Sequence, residues 1–165
     1  MIKIDKEKAG WVVSLSWLSA LEEAARDFHG TRPKLFCERA YEHAVQHYIR
    51  QLGDEFGVQT EKAKTIRDAV EQYIQLGVIG RLFQDASDFE LSETNPFHLE
   101  LTIHHCRYIK SCQALIDEGF TLKDLTCARL GCFRAAVKSL ANMDCDYELR
   151  SFNIEGDCQG YIERL

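Results

Sequence analysis

The sequence predicts one α+β domain in which N-terminal helices pack on a four-stranded antiparallel sheet made of two hairpins separated by helices. Three observations point to it. Apolar residues recur at three- and four-residue steps through the first half, and the period shortens to two near Phe89. The alternating stretches, around 89–103 and 145–164, are separated by helical patterns, and two hairpins so arranged most simply join into one sheet. With 165 residues, 45% of them hydrophobic, the chain can bury one sizeable core and no second. Only two prolines and no Ser/Gly-rich stretch leave no linker, so residues 1–84 form the helical part and 85–165 the cysteine-bearing part of a single domain.

The elements follow in order. Leu15, Leu18, Leu21, Ala25 and Phe28 set a helix over about 5–28, although Trp11, Val13, Leu15 and Trp17 also fit strand alternation. After Gly30 and Pro33 a second helix carries Cys37, Tyr41, Ala44, Val45, Tyr48, Ile49 and Leu52 on one face and closes at Gly53 and Gly57. A third starts near Thr60, a cap residue, with Ala63, Ile66, Val70, Tyr73, Ile74 and Gly77 as its buried stripe. Phe89 and Leu91, an Asn95-Pro96 turn, then Phe97, Leu99, Leu101 and Ile103 make the first hairpin. A short helix spans about 108–118 and stops at Gly119. Thr121 and Asp124 resemble a capping box opening a helix with Leu125, Leu130, Phe133, Val137 and Leu140, which breaks at Asn142. Cys145, Tyr147 and Leu149, a bend at Glu155-Gly156-Asp157, and the stretch after Cys158 form the second hairpin.

Composition excludes several functions. Twenty Lys and Arg against 26 Asp and Glu give a charge of −6 with no basic stripe, which argues against a nucleic-acid partner. Such a surface is compatible with a homodimer or another protein partner, and with peripheral membrane contact through a small apolar patch. Trp11 to Leu18 is too short for a membrane span, and the acids around it do not suit a signal peptide. Seven cysteines without a C-x-x-C pair, in a chain lacking export signals, read as free thiols in a reducing, cytoplasmic setting. No G-x-G-x-x-G or P-loop is present.

Six of the seven cysteines follow residue 105, which draws attention to the C-terminal half. In His104-His105-Cys106-Arg107-Tyr108, strand alternation sends His104 and Cys106 to one face and His105 to the other, which argues against a three-ligand metal site. A single Cys or His there could serve a haem-like group, or a composite zinc site with Cys112, Cys127 or Cys132, but buried thiols and hydrogen-bonded imidazoles are the plainer reading. Gly131, in a helix interior, calls for close approach of another element or a ligand, and Cys127 lies one turn away on the same face. Cys106 with His104 or His105, and an acid such as Asp144 or Glu148, would compose a thiolate–imidazole pair. His43 and His47, at i and i+4, lack the glutamate of a metalloprotease helix and read as surface histidines.

Cys106-Arg107-Tyr108 after a strand, Cys127-x-x-x-Gly131 on a helix, and a last hairpin with Glu148 and Gly156-Asp157 near a cysteine resemble the 4-vinyl reductase domain over roughly 85–165. Ser151 stands where that pattern has a cysteine, and Cys158 follows Asp157 without spacers. The resemblance extends in fold to transport-protein-particle subunits and haem nitric-oxide-binding domains. It implies a pocket for a hydrophobic or tetrapyrrole-like small molecule, a role as sensor, carrier or assembly factor, and a link to pigment metabolism or photosynthetic-complex assembly. Its ligand-binding positions would be His104, Cys106, Tyr108, Cys127 and Gly131, with no metal. The same half also resembles the 2-amino-thiazoline-4-carboxylate hydrolase family, which would make Cys106, Cys127 and Arg150 catalytic. A trafficking-like scaffold, dimeric through its N-terminal helices, is the third expectation.

Overall fold

Helical periodicity in the first half becomes three α-helices, α1 (Lys6–His29), α2 (Lys34–Phe56) and α3 (Ile66–Ile79). The computed structural model describes residues 6–29, 34–154 and 156–165, so the expected turn at Gly30 and Pro33 and the residue Glu155 lie outside the described residues, as do the side chains of Trp11 and Leu15. Helix, not strand, is the outcome for the tryptophan-rich stretch. Glu22 and Ala25 anchor α1 in the core, while Val13, Trp17, Leu21 and Phe28 stay exposed beside them. On α2 the buried residues are Cys37, Tyr41, Val45 and Leu52, and Gly57 ends it in a left-handed conformation.

The start of α3 differs from expectation. Residues 57–65 are not helical, and Thr65 is the cap in place of Thr60. Thr65 accepts a hydrogen bond from the Asp68 N–H, and the Asp68 carboxylate accepts one from the Thr65 N–H. Thr60 has Ala63 at the corresponding position, so it has no acid to return the bond.

The second half folds as β1 (Phe89–Asn95), β2 (His98–Ile103), α4 (Ile109–Asp117), α5 (Ala128–Ala136), β3 (Cys145–Phe152) and β4 (Cys158–Arg164). The strands form one four-stranded antiparallel sheet, as predicted, and its order is β1-β2-β4-β3. Alternation places Leu99, Leu101 and Ile103, then Tyr147 and Leu149, then Cys158, Gly160 and Ile162 against the helices. The opposite face is polar: His98 stacks on Tyr161, and Arg150 lies over the same ring while pairing with Glu100.

A second boundary also moves. The Thr121 N–H and hydroxyl both donate to the Asp124 carboxylate, but they close a turn, and the helix begins only at Ala128. Cys127 takes a left-handed backbone with φ 40°, which interrupts any helix running in from Thr121. Past Ala136 the coil widens to one π-helical turn (Val137–Ala141) and ends at left-handed Asn142, where the sequence predicted the break.

Nearly every side chain of α5 is buried, from Ala128 to Leu130, Phe133 and Ala136. Two glycines permit this. A Cβ at Gly131 would stand 2.3 Å from a ring carbon of Tyr41 on α2, and one at Gly160 of β4 would stand 2.4 Å from Leu130 Cδ1 and 2.5 Å from the Glu148 carbonyl oxygen. The space over Gly131 therefore belongs to Tyr41, and close packing, not a ligand, explains that residue. Replacing Gly131 with Ala should destabilise the protein by about 1–3 kcal/mol in urea unfolding, despite alanine's better helix propensity. Unchanged stability would show that the Tyr41 ring is not fixed in place.

Candidate functional site

The chain leaves β2 at Ile103, and His105 takes φ 50°, so strand alternation does not continue through the histidine-cysteine run. His104 remains at the surface, with Nδ1 2.8 Å from the Asp157 carboxylate and Nε2 3.2 Å from Glu90. The Asp157 hydrogen bond, aided by Glu90, raises its pKa and favours the imidazolium. His105 points to solvent, whereas Cys106 turns into the core. The structure thus brings no imidazole to the Cys106 thiol as a base: His104 is engaged by two carboxylates and His105 lies near Asp88.

What does meet Cys106 is Arg129, in the first turn of α5. Only 5% of it is exposed. Its guanidinium carbon sits 4.4 Å from the ring centre of Phe83, 4.9 Å from that of Tyr108 and 5.8 Å from that of Phe89. Arg134 on the same helix reaches Glu42 and the Cys145 carbonyl. Arg129 has no such outlet, and its Nε is, among the described residues, the buried side-chain nitrogen or oxygen without a hydrogen-bond partner. A buried cation in an aromatic cage needs a counter-charge.

Cys106 supplies it. The Cys158 thiol donates a hydrogen bond to the Cys106 sulfur, and Arg129 adds its charge and a second hydrogen bond; together these outweigh burial and hold the Cys106 pKa well below the ordinary thiol range. Cys158 is correspondingly raised, first because it holds the proton that bridges the pair and then by burial. The two cysteines thus share one proton, as thiolate and thiol. Burial pushes the thiol of Cys112 up to about 12 and that of Cys127 well above its usual value, so both stay protonated.

A small pocket of about 40 Å³ opens beside the pair, lined by Cys106, Arg129, Phe83, Phe89 and His105 among others. A groove of about 500 Å³, mainly apolar, runs past Gly10, Ser14, Tyr48, Arg81, Leu82 and Tyr108. Leu82 borders both spaces, and the Tyr108 ring stands between the groove and Arg129. Of the predicted ligand-binding positions, Cys106 and Tyr108 come together here and His104 borders the small pocket. Cys127 is buried away from its lining, and Gly131 packs on Tyr41. The hydrolase set is not assembled, because Arg150 projects from the polar side of the sheet while Cys106 and Cys127 are buried beneath the other. Among the described residues no group of three or more His, Cys, Asp or Glu side chains is placed to hold a metal ion, and no helix is long and apolar enough to cross a membrane.

No protein-family model matches the chain, and no curated protein is significantly similar to it. Arg129 is the member of this site that sequence reasoning missed, since one arginine in a helical pattern normally marks a solvent face. The small residues around it, Ala128, Gly131, Cys132, Ala135 and Ala136, were the available signal that this helix has no such face.

A second buried polar cluster ties α1 to this interior. Tyr41 and Thr126 hydroxyls both donate to Glu22 Oε1 at 2.8 Å, and the Tyr147 hydroxyl donates to the Thr126 carbonyl. Burial raises the Glu22 pKa even so, outweighing those two hydrogen bonds. Above the ordinary carboxylate value the folded state holds a proton that the unfolded state has released, so this group's contribution to stability falls as pH rises through that window. Glu22→Gln should match the wild type at acidic pH and become the more stable protein as pH climbs above 4.5. Urea titrations at several pH values will show this, and a pH-independent difference would contradict it.

Proposed function

We propose that the chain is a ligand-binding domain, of the 4-vinyl-reductase type it resembles, for a hydrophobic small molecule that carries an anionic group. The observation that supports this reading best is Arg129, a cation 5% exposed, with an unused Nε and no carboxylate partner among the described residues. The apolar groove along Tyr48, Leu82 and Tyr108 would take the body of the ligand, and a shift of Leu82 or Tyr108, both half-buried, would join it to the Arg129 pocket. A tetrapyrrole carboxylate or a long-chain acid has the required chemistry, which fits a sensor, carrier or assembly factor. Seven free thiols suit a reducing, cytoplasmic setting.

Titration with protoporphyrin IX, its uncharged dimethyl ester and a long-chain fatty acid tests the proposal. Binding of an acid should weaken at least tenfold in Arg129→Met, equivalent to about 1.4 kcal/mol, and the ester should bind more weakly than the diacid. The same acid should slow alkylation of Cys106 at neutral pH, because a carboxylate on Arg129 removes the charge that favours the thiolate. Equal binding by ester and diacid, unchanged affinity in Arg129→Met, or no binding by either acid would overturn it.

The lowered Cys106 pKa favours one second reading, a cysteine nucleophile acting on a small substrate. With Arg150 on the far side of the sheet and Cys127 protonated, that reading retains Cys106 alone. Full turnover of a candidate thiazoline carboxylate by Cys106→Ala would exclude it.

A further inference from the structure

We propose that Cys106 is a peroxide-reactive cysteine and Cys158 its resolving partner, so that a hydroperoxide converts the pair into an internal disulfide. The proposal is independent of the ligand reading above. It stands on the placement of three side chains and one small opening.

Register and turn bring the sulfurs together. Cys158, the first residue of β4, pairs across the sheet with Ile103, the last of β2. The left-handed turn at His105 then folds Cys106 back until the two thiols hydrogen-bond. A disulfide needs the sulfurs at about 2.05 Å, so the hydrogen-bonded thiols must close further before the S–S bond forms. The pair is also asymmetric, since Cys106 carries the negative charge and Cys158 the proton. Arg129, whose Nε has no acceptor, is placed to donate to a peroxide oxygen as negative charge develops on it. Finally, the pocket of about 40 Å³ beside Cys106 and Arg129 holds a molecule of peroxide size, since one water needs roughly 10–15 Å³.

The chemistry balances. The Cys106 thiolate attacks one peroxide oxygen; an S–O bond forms as the O–O bond breaks, sulfur loses two electrons, and the departing hydroxide or alkoxide takes a proton to become water or alcohol. Oxidation to the sulfenic acid removes the negative charge that held the Cys158 proton in place. Cys158 then ionises and attacks the sulfenic sulfur; the S–S bond forms, the S–O bond breaks, and the hydroxyl leaves as water. Two thiols and one hydroperoxide give one disulfide, one alcohol or water, and one water. The titratable groups that interact electrostatically with Cys106 are Arg129 from α5, Cys158 from β4, Tyr108 ahead of α4, Cys112 on α4 and Cys127 before α5. The thiols and the phenol among them, apart from Cys106 itself, are all protonated at neutral pH, so none competes as nucleophile.

The test uses the full-length, ligand-free, reduced chain treated with one equivalent of hydrogen peroxide at neutral pH. Intact mass should fall by two hydrogens, and peptide mapping should recover a Cys106–Cys158 link. Cys106 should react at least tenfold faster than Cys37 and Cys145, whose thiols burial pushes up to about 11. In Cys158→Ser, dimedone should trap a sulfenic acid at Cys106, and Cys106→Ser should leave Cys158 unoxidised. Arg129→Met should slow the reaction tenfold or more, with Arg129→Lys retaining part of the rate. Dimedone present during oxidation of the wild type should divert the disulfide to a Cys106 adduct, a readout that needs no variant to fold. Oxidation of Cys106 no faster than of Cys37 or Cys145, a first disulfide through Cys112 or Cys127, or no dimedone adduct at Cys106 in either protein would overturn the proposal.

Discussion

The architecture depends on holding one short helix almost entirely out of water. Tyr41 of α2 closes over Gly131 on one side of α5, and Leu130 presses onto Gly160 in the central strand β4 on another. Neither approach survives a Cβ, so helix and sheet meet backbone to side chain with no layer between them. The interior gained is well packed, with Leu130, Phe133 and Ala136 excluded from solvent. Its cost falls on the arginines. Arg134, in the last turn of the helix, escapes to Glu42 and a β3 carbonyl. Arg129, in the first turn, cannot. Desolvating a guanidinium costs several kcal/mol, and packing alone does not return it.

Three strained residues frame the place where that cation resides. Arg81 (φ 58°), His105 (φ 50°) and Cys127 (φ 40°) are left-handed without being glycine, asparagine or aspartate. The first turns the chain so that Leu82 and Phe83 cover the pocket, the second carries Cys106 beneath it, and the third starts α5 so that Arg129 enters it. Each such residue costs about 1–3 kcal/mol and persists only where surrounding contacts over-determine it. Asn142, at φ 54°, differs: it ends the π-helical turn, a common position for asparagine, and lies away from the pocket. Three of the four left-handed non-glycine residues among the described residues thus gather around one buried charge.

The sequence's legibility followed from which forces are periodic. Leu99, Leu101 and Ile103 alternate because the sheet has one wet and one dry face, and Tyr41, Val45 and Leu52 recur because α2 has one stripe against the core. Those patterns read directly into the two hairpins and the three N-terminal helices. Boundaries set by a single residue did not. The expected cap at Thr60 gives way to Thr65, where the carboxylate of Asp68 returns the bond, and nothing local marks Cys127 as left-handed. The site was half legible for the same reason. Cys106 and Tyr108 stood out as chemistry at a strand end, but their partners Arg129 and Cys158 are adjacent only through the wedge of α5 and the register of β4 on β2.

Charge arithmetic then links the two proposed roles of the site. Arg129 brings one positive charge into a space with one anion, the Cys106 thiolate, so the pair is neutral only while that sulfur is ionised. A carboxylate arriving at Arg129 competes with the thiolate for the same cation and returns a proton to Cys106. A disulfide at Cys106 does the reverse, because it leaves Arg129 buried without a counter-charge and strengthens its demand for an external anion. Coupling of this kind is reciprocal. An anion that binds the oxidised pair more tightly must also stabilise the disulfide at equilibrium, even as it slows the thiolate's first attack on peroxide. On these two proposals, ligand occupancy and thiol state would be two expressions of one electrostatic constraint, imposed when α5 carried an arginine into the core.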